Sequence, residues 1–214
     1  MEYTGFEIVS LKDLLDRGWK LEDTIGELIS LDYETMRGLT KKDEGSLAQW
    51  VGVVRKSPET LRMLLDPSGE IVGYWHFLAL KERCFAMAKE GMLHDNQINS
   101  GAIYSLTKAG VYKAYNVETT LKREFRDTGM VNLLFKSHFY VIEKFAEKGI
   151  FFSELCSNAY TKDGEKLCRE RGMKRIAKSK SRGGIYWMSF PDFLAKNAKA
   201  RKNLLELYSK PKAR

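Results

Sequence analysis

The tightest constraint on this chain is the stretch from Tyr112 to Lys148, where a strand runs through a glycine turn into a long amphipathic helix. Apolar residues fall at Val131, Leu134, Phe135, Phe139, Ile142, Phe145 and Ala146, which is helical spacing. A helix entered at Gly129 aims unpaired backbone N–H groups, and the positive end of its dipole, back at the turn. That geometry suits phosphate or pyrophosphate, and Arg126 adds a fixed charge able to fork onto it. The motif reads Arg126-x-x-Gly129-x-Val131-x-x-Leu134. The first reading is therefore a phosphate-bearing cofactor; the plainer one is an ordinary strand–turn–helix with a surface arginine. The order of the other elements decides between them.

At 214 residues the chain is long enough for one large α/β domain with a substantial core, or, less readily, two small ones. No apolar run is long enough to span a bilayer, and the start, Met-Glu-Tyr-Thr-Gly-Phe, lacks a basic region followed by an apolar core. Cys84, Cys156 and Cys168 have no metal-ligand spacing, so we expect reduced thiols, a cytoplasmic location and no metal. His76, His94 and His138 are scattered, and His138 falls on the apolar face of its helix, the place of a core histidine. The net charge of +8 is uneven: residues 166–214 carry 15 Lys/Arg and 3 Asp/Glu. Such a surface favours polyanions, although a solvated charged helix and tail is the blander reading.

Along the chain, Phe6–Leu11 reads as a strand, followed by helices over about Thr24–Met36 and Glu44–Lys56, the second with Asp43 as N-cap. Leu61–Leu65 and Glu70–Leu80 read as an antiparallel pair joined by Asp66-Pro67-Ser68-Gly69, a type I turn. Lys81–Lys89 is helical, Gly91–Gly101 a loop, and a strand-like run returns at Ala102 before Tyr112–Leu121. The long helix stops at Gly149. Then come a strand at Ile150–Cys156, a helix over 160–171, and a hairpin of Met173–Ala177 with Ile185–Phe190. Pro191 opens a basic C-terminal segment containing a short helix.

This order, with the Arg-x-x-Gly turn, resembles the GNAT N-acetyltransferase superfamily over residues 1–190. The resemblance implies a single α/β (α+β) domain with a mixed, mostly antiparallel central sheet flanked by helices. Residues 81–110 form an enlarged acceptor-side insertion, and 191–214 a basic helix and tail. Arg126, Gly129 and Leu134 match the family's acyl-CoA loop; Val131 stands where relatives have Gly or Ala. A second block, Thr161-x-x-Gly164-x-x-x-Cys168-x-x-x-Gly172-Met173, lies at the family's spacing, with Cys168 in its tyrosine slot.

The implied activity is acyl-CoA-dependent N-acyl transfer, with acetyl from acetyl-CoA passing to a primary amine by direct attack in a ternary complex. The cofactor would lie on Leu121, Arg123, the turn Arg126-Asp127-Thr128-Gly129-Met130-Val131, and Asn158. Leu121 N–H would hold the thioester carbonyl and Arg123 N–H the pantetheine. The implied general base is Glu118, with Glu154, His94 and Asp95 as rivals. Cys168 or Tyr160 would protonate the departing thiolate. The acceptor would be a small-molecule or protein amine, a second copy forming a homodimer is the other partner considered, and no membrane is expected. The competing function is a nucleic-acid-associated or regulatory GNAT-like protein, including one that acetylates an RNA-linked amine. It would use the basic quarter around Lys174, Arg175, Lys178, Lys180 and Arg182.

Overall fold

The structure, a computed structural model, describes residues 4–209. Strands β1 (Glu7–Ser10), β2 (Leu61–Leu65), β3 (Ile71–Ala79), β4 (Gly110–Leu121), β5 (Ile150–Ala159), β6 (Lys174–Lys178) and β7 (Gly184–Ser189) hydrogen-bond in the order β1-β2-β3-β4-β5-β7-β6. The β4–β5 pair is parallel, while β1–β2, β2–β3, β5–β7 and β6–β7 are antiparallel. The helices are α1 (Leu11–Asp16), α2 (Leu21–Thr35), α3 (Lys41–Glu44), α4 (Leu47–Lys56), α5 (Glu82–Lys89), α6 (Met130–Glu147), α7 (Lys162–Glu170), α8 (Phe190–Asn197) and α9 (Lys202–Ser209). Among the described residues no helix is long and apolar enough to cross a membrane.

The chain divides into two compact units. The first takes the residues up to Leu78, His94–Ile103 and Val117–His138. Its core is built on β3, buried along its whole length. Side chains alternate across a strand, so Trp75 and Phe77 take one face and Tyr74 and His76 the other. On the first face both rings pack against His138 of α6, with centroids 5.0 and 5.3 Å away. That setting strips the imidazole of water and lowers its pKa to about 4, so His138 is a neutral core residue. On the other face Tyr74 meets Asp32 of α2, and His76 lies edge-on to Trp50 of α4.

The second unit takes Ala79–Leu93, Tyr104–Asn116 and the residues from Phe139 on. Phe152 of β5 packs on Phe145 and Phe190, and Phe190 continues to Phe193 and Tyr208. The C-terminal helices therefore complete a core: Phe193, Leu194 and Leu204 are at most 2% exposed. Truncation from Asp192 should cost about 5 kcal/mol or more, since each large buried side chain removed costs about 2–5 kcal/mol. At a few degrees per kcal/mol the melting temperature should fall by roughly 10 °C, which scanning calorimetry reads directly. The expected role of Lys210, Lys212 and Arg214 falls outside the described residues.

Three expectations need correction. The single helix expected over Glu44–Lys56 is two, because Gly45 sits at φ 91° and interrupts it. The caps are Thr40 and Ser46, whose hydroxyls accept from the N–H groups of Asp43 and Gln49; Asp43 is not the cap but accepts from the Thr40 hydroxyl. The run from Ala102 does not continue a strand. Tyr104 N–H is taken by Ala79 O, the chain then turns, and β4 starts at Gly110. The short helix expected after Pro191 is present, and Pro191 lies in its first turn, where its missing N–H costs nothing.

Candidate active site

The parallel pairing of β4 with β5 ends at Asn116↔Ser157, but β4 runs on to Leu121. Its last residues lie against β3, with Lys122 N–H bonded to Val72 O at 2.8 Å. Gly73 permits this approach, because a Cβ there would lie 2.7 Å from Leu121 Cδ1 and 2.9 Å from Thr120 O. Past Leu121 the chain makes a 3-10 turn over Arg123–Thr128, reverses at Gly129 (φ 85°, ψ 0°), and enters α6 at Met130. The helix thus begins one residue later than the sequence suggests. Gly129 is the left-handed residue between two helical segments, a conformation that suits glycine.

This places Leu121, Arg123, Arg126, Asp127, Thr128, Gly129, Met130 and Val131 on one strand end and one helix entry. The arginine differs from expectation. Arg126 donates Nε to Leu121 O at 3.1 Å and Nη2 to Thr35 O at 3.4 Å, fastening the turn to the end of β4 and to α2. Thr128 Oγ1 donates back to Phe125 O at 2.6 Å, and Phe125 packs edge-on to Phe6. Val131 is half-buried and Met130 buried.

Glu118 lies two residues beyond the last β4–β5 pair. Desolvation raises its carboxyl to about 7, with Asp95 pushing the same way, against the Thr119 N–H and the Arg126 charge. Around it stand three further acids. Asp32 is 4% exposed; burial and then the charges of Glu118 and Glu44 raise its pKa well above the usual range, although Tyr74 O–H donates to its Oδ2. Glu44 is raised to about 8 by burial, then by Asp95 and Glu118. Asp95 lies on a 3-10 turn, Asp95–Gln97, that packs on α3 and is tied to α4 by Gln49 Nε2, which donates to Asp95 O at 2.6 Å and Ile98 O at 2.7 Å. Two buried atoms here have no partner, Asp32 Oδ1 and His76 Nε2. His76 is neutral, its pKa lowered to about 3 by burial.

These shifts set a sign for stability. An acid whose folded pKa exceeds the unfolded 4.5 binds more protons when folded, so stability is lost as pH rises toward the folded value. His76 and His138 act oppositely below about 6.5. Between pH 6.5 and 8.5 the melting temperature should fall, and Glu44→Gln should flatten that fall, recovering on the order of 3 kcal/mol at pH 8.5. Parallel melting curves for the two proteins test it.

The remaining expected residues lie in the second unit. Glu154 is a structural ion: its carboxylate takes Lys89 Nζ and Trp187 Nε1, both at 2.7 Å, with Lys113 Nζ at 3.4 Å. Burial opposes its charge, but those donors hold its pKa below the ordinary value, which unsuits it as a base near neutrality. Burial pushes the Cys168 thiol up to about 12, a poor acid for protonating a thiolate. Tyr160 O–H pairs with Ser181 Oγ at 2.9 Å, and Asn158 Nδ2 donates to Ser179 Oγ at 3.3 Å. Among the described residues no group of three or more His, Cys, Asp or Glu side chains could hold a metal ion.

Of the acids around Glu118, Asp95 was named from the sequence as a rival base, whereas Asp32 and Glu44 were not singled out. One mark was there: Ile25, Leu28 and Asp32 fall at i, i+3 and i+7, so Asp32 sits on the apolar stripe of α2. A carboxyl on a buried stripe calls for a reason.

No family profile and no curated protein matches the chain. Solved structures do. Naa50 of Arabidopsis thaliana, in complex with the bisubstrate analogue CoA-Ac-MVNAL, aligns over 87% of this chain and 100% of its own at 12% identity and TM-score 0.51. An acetyltransferase of the GNAT family from Staphylococcus aureus aligns over 86% and 98% at 10% identity and TM-score 0.50. The GNAT-like decarboxylase GphF, in complex with isobutyryl-CoA, aligns over 86% and 98% at 13% identity and TM-score 0.54. With the strand order, the early end of the β4–β5 pairing and the glycine entry to α6, these likenesses establish that the chain has the GNAT fold.

Proposed function

We propose that this protein is an acyl-CoA-dependent N-acyltransferase that moves an acetyl group from acetyl-CoA to a primary amine. The observation that carries the reading is Glu118. It is a carboxyl raised to about 7 on the strand end that leads directly into the Gly129 helix entry. A base must titrate near the working pH to take a proton from an ammonium and still be ionised. The helix entry offers backbone N–H groups and a positive dipole end to a pyrophosphate. Solved structures sharing the fold were determined with CoA-Ac-MVNAL and with isobutyryl-CoA.

In this reading the pyrophosphate lies on the N–H groups at Gly129–Val131, and the thioester carbonyl takes the N–H of Leu121. Glu118, directly or through a water, removes one proton from the acceptor ammonium. The freed amine attacks the carbonyl carbon, the C–S bond breaks, an amide forms, and the thiolate takes up a proton to leave as the free CoA thiol. The backbone donor at Leu121 favours the tetrahedral oxyanion without calling on a side chain. Arg126 acts mainly by holding the turn, so Arg126→Ala should weaken cofactor binding by loosening it.

The test is thiol release from acetyl-CoA with a panel of primary amines, with mass spectrometry of the products. Amine-dependent thiol release with N-acetyl product supports the reading; acetyl-CoA that binds and is hydrolysed without amide product overturns it. A second reading, acetylation of an RNA-linked amine, is favoured by exposed Lys174, Arg175 and Lys178 on the edge strand β6. It requires RNA binding that falls steeply with salt.

A further inference from the structure

The second unit carries a face of cations that the site above does not use. Residues 166–182 hold eight Lys/Arg and one acid, Glu170. The end strand of the sheet, β6, contributes Arg175 and Lys178, three residues apart. On a regular strand such residues point to opposite faces. Here the register slips between Arg175 and Ala177, so Arg175 stands opposite Tyr186 and Lys178 opposite Gly184. Those partners are two apart on β7, about 7 Å, and share a face, so the two cations share it as well. Bulges re-aim side chains, and this one brings a second cation onto the Tyr186 face.

A third cation is fixed on the same tyrosine. Arg169 of α7 donates Nη1 to the Tyr186 hydroxyl at 3.2 Å, with Glu165 Oε2 3.6 Å away on its own helix. Arg175 lies along Gly184: a Cβ built there would be 2.8 Å from its Nε, 3.2 Å from its Cζ and 3.3 Å from Tyr186 Cε2. Glycine is what leaves room for that guanidinium. Tyr186 is 1% exposed, whereas Arg169, Arg175 and Lys178 are all exposed. The buried ring is thus a bed on which two guanidiniums rest with their donors toward solvent. Among the described residues, Arg175 and Lys178 have no side-chain hydrogen bond or ion pair, and Glu165 is the one carboxylate within ion-pair distance of the three. Like charges held on one face repel, and an anion relieves that repulsion.

We propose that the face formed by Arg169, Arg175 and Lys178 binds the sugar–phosphate backbone of a nucleic acid. A guanidinium presents paired N–H donors that match the oxygens of a phosphate, and arginines already held in place lose little freedom on binding one. An acidic protein fits less well. The core of a protein interface is apolar, and here the exposed apolar side chain on β6 is Ile176 alone. Nucleic-acid interfaces are polar and strongly positive. Tyr186, the ring on this face, is buried and cannot stack a base, so the contacts read phosphates rather than sequence. RNA and DNA of one sequence therefore bind alike. Such a face would serve the RNA-linked acceptor considered above, and it binds whether or not the chain transfers an acyl group.

The test is fluorescence anisotropy of a short labelled RNA, and of DNA of the same sequence, titrated with the full chain at several salt concentrations. Three phosphate contacts on a single strand give a slope of log K against log salt near −2, about −0.7 for each. Arg175→Gln and Lys178→Gln, both at exposed positions, should each flatten the slope by about 0.7 and weaken binding about fivefold at about 0.1 M salt. Tyr186→Phe changes no charge but frees Arg169, and should weaken binding by about threefold or more. If that buried change disturbs folding, the two exposed variants carry the test. Lys12→Gln, which removes a charge from the first unit, should match the parent. A loss in Lys12→Gln equal to that in Arg175→Gln would show diffuse attraction and overturn the inference. So would nucleic-acid binding that Arg175→Gln and Lys178→Gln leave unchanged, or no binding at low salt. Tighter binding of a glutamate-rich peptide than of either nucleic acid would assign the face to a protein and overturn it as well. Calorimetry keeps the readings apart: acetyl-CoA affinity should stay within about twofold in all four variants, and a matching loss would put a cofactor phosphate on this face instead. Acetyl-CoA that fails to bind the parent removes the acyltransferase reading, and the anisotropy then decides this inference alone.

Discussion

Glu118→Gln is expected to lower kcat by about 10²–10⁴-fold while leaving acetyl-CoA affinity within about threefold, the range for loss of a positioned general base. The amide keeps the shape of the side chain and an oxygen for the Thr119 N–H, which bonds Glu118 Oε1 at 2.9 Å, so the strand end should survive. What it loses is the ability to take a proton. The parent should lose activity as pH falls through about 7, where burial places this carboxyl. The variant's residual rate should follow only the ionisation of the amine. Its fold should be intact or slightly firmer, since a partly desolvated acid repelled by Asp95 has been replaced by a neutral group. A variant with parental kcat and an unchanged acid limb would mean that another group removes the proton.

The second large effect is expected at Gly129. Its φ of 85° lies in the left-handed region, where a β-branched side chain is strained by about 1–3 kcal/mol. Gly129→Val must either hold that strain or rotate the chain between the 3-10 turn and α6, and either change moves the N–H groups proposed to hold the cofactor. In the proposed reading a Cβ at this position also adds bulk where the pyrophosphate would approach. Acetyl-CoA affinity should therefore fall by at least about tenfold, more than 1.4 kcal/mol, with the melting temperature lowered by a few degrees. Calorimetric titration at equal protein concentration measures it. Parental affinity in a folded Gly129→Val protein would move the cofactor elsewhere.

The parts of this account that could be read from the sequence are local ones. The entry to α6 was legible because an arginine, a glycine and an apolar stripe of period 3.6 lie within a few residues of one another. The Asp66–Gly69 turn was legible for the same reason, and Gly69 N–H closes it onto Asp66 O at 2.9 Å. The break at Gly45 was missed because apolar spacing over Leu47–Lys56 continues past a single left-handed residue. Of the acidic residues, Glu118 and Asp95 were named from the sequence as candidate bases, while Asp32 and Glu44 were not. Nothing in the sequence joins these acids, and only the packing of α2, α3, the 3-10 turn and β4 lets each act on the others' ionisation. Arg126 was identified, but its partners are backbone carbonyls of Leu121 and Thr35, which no side-chain motif encodes.

The central claim is that the Gly129 entry binds an acyl-CoA, and ligand-dependent unfolding tests it most directly. A ligand that binds only the folded protein stabilises it by about 2.7 kcal/mol at a free concentration of about 100 times its dissociation constant. Acetyl-CoA should raise the melting temperature of the parent progressively with concentration, and should do so far less in Gly129→Val. A melting temperature that acetyl-CoA leaves unmoved up to millimolar concentration, in a protein that otherwise unfolds cooperatively, would contradict the account.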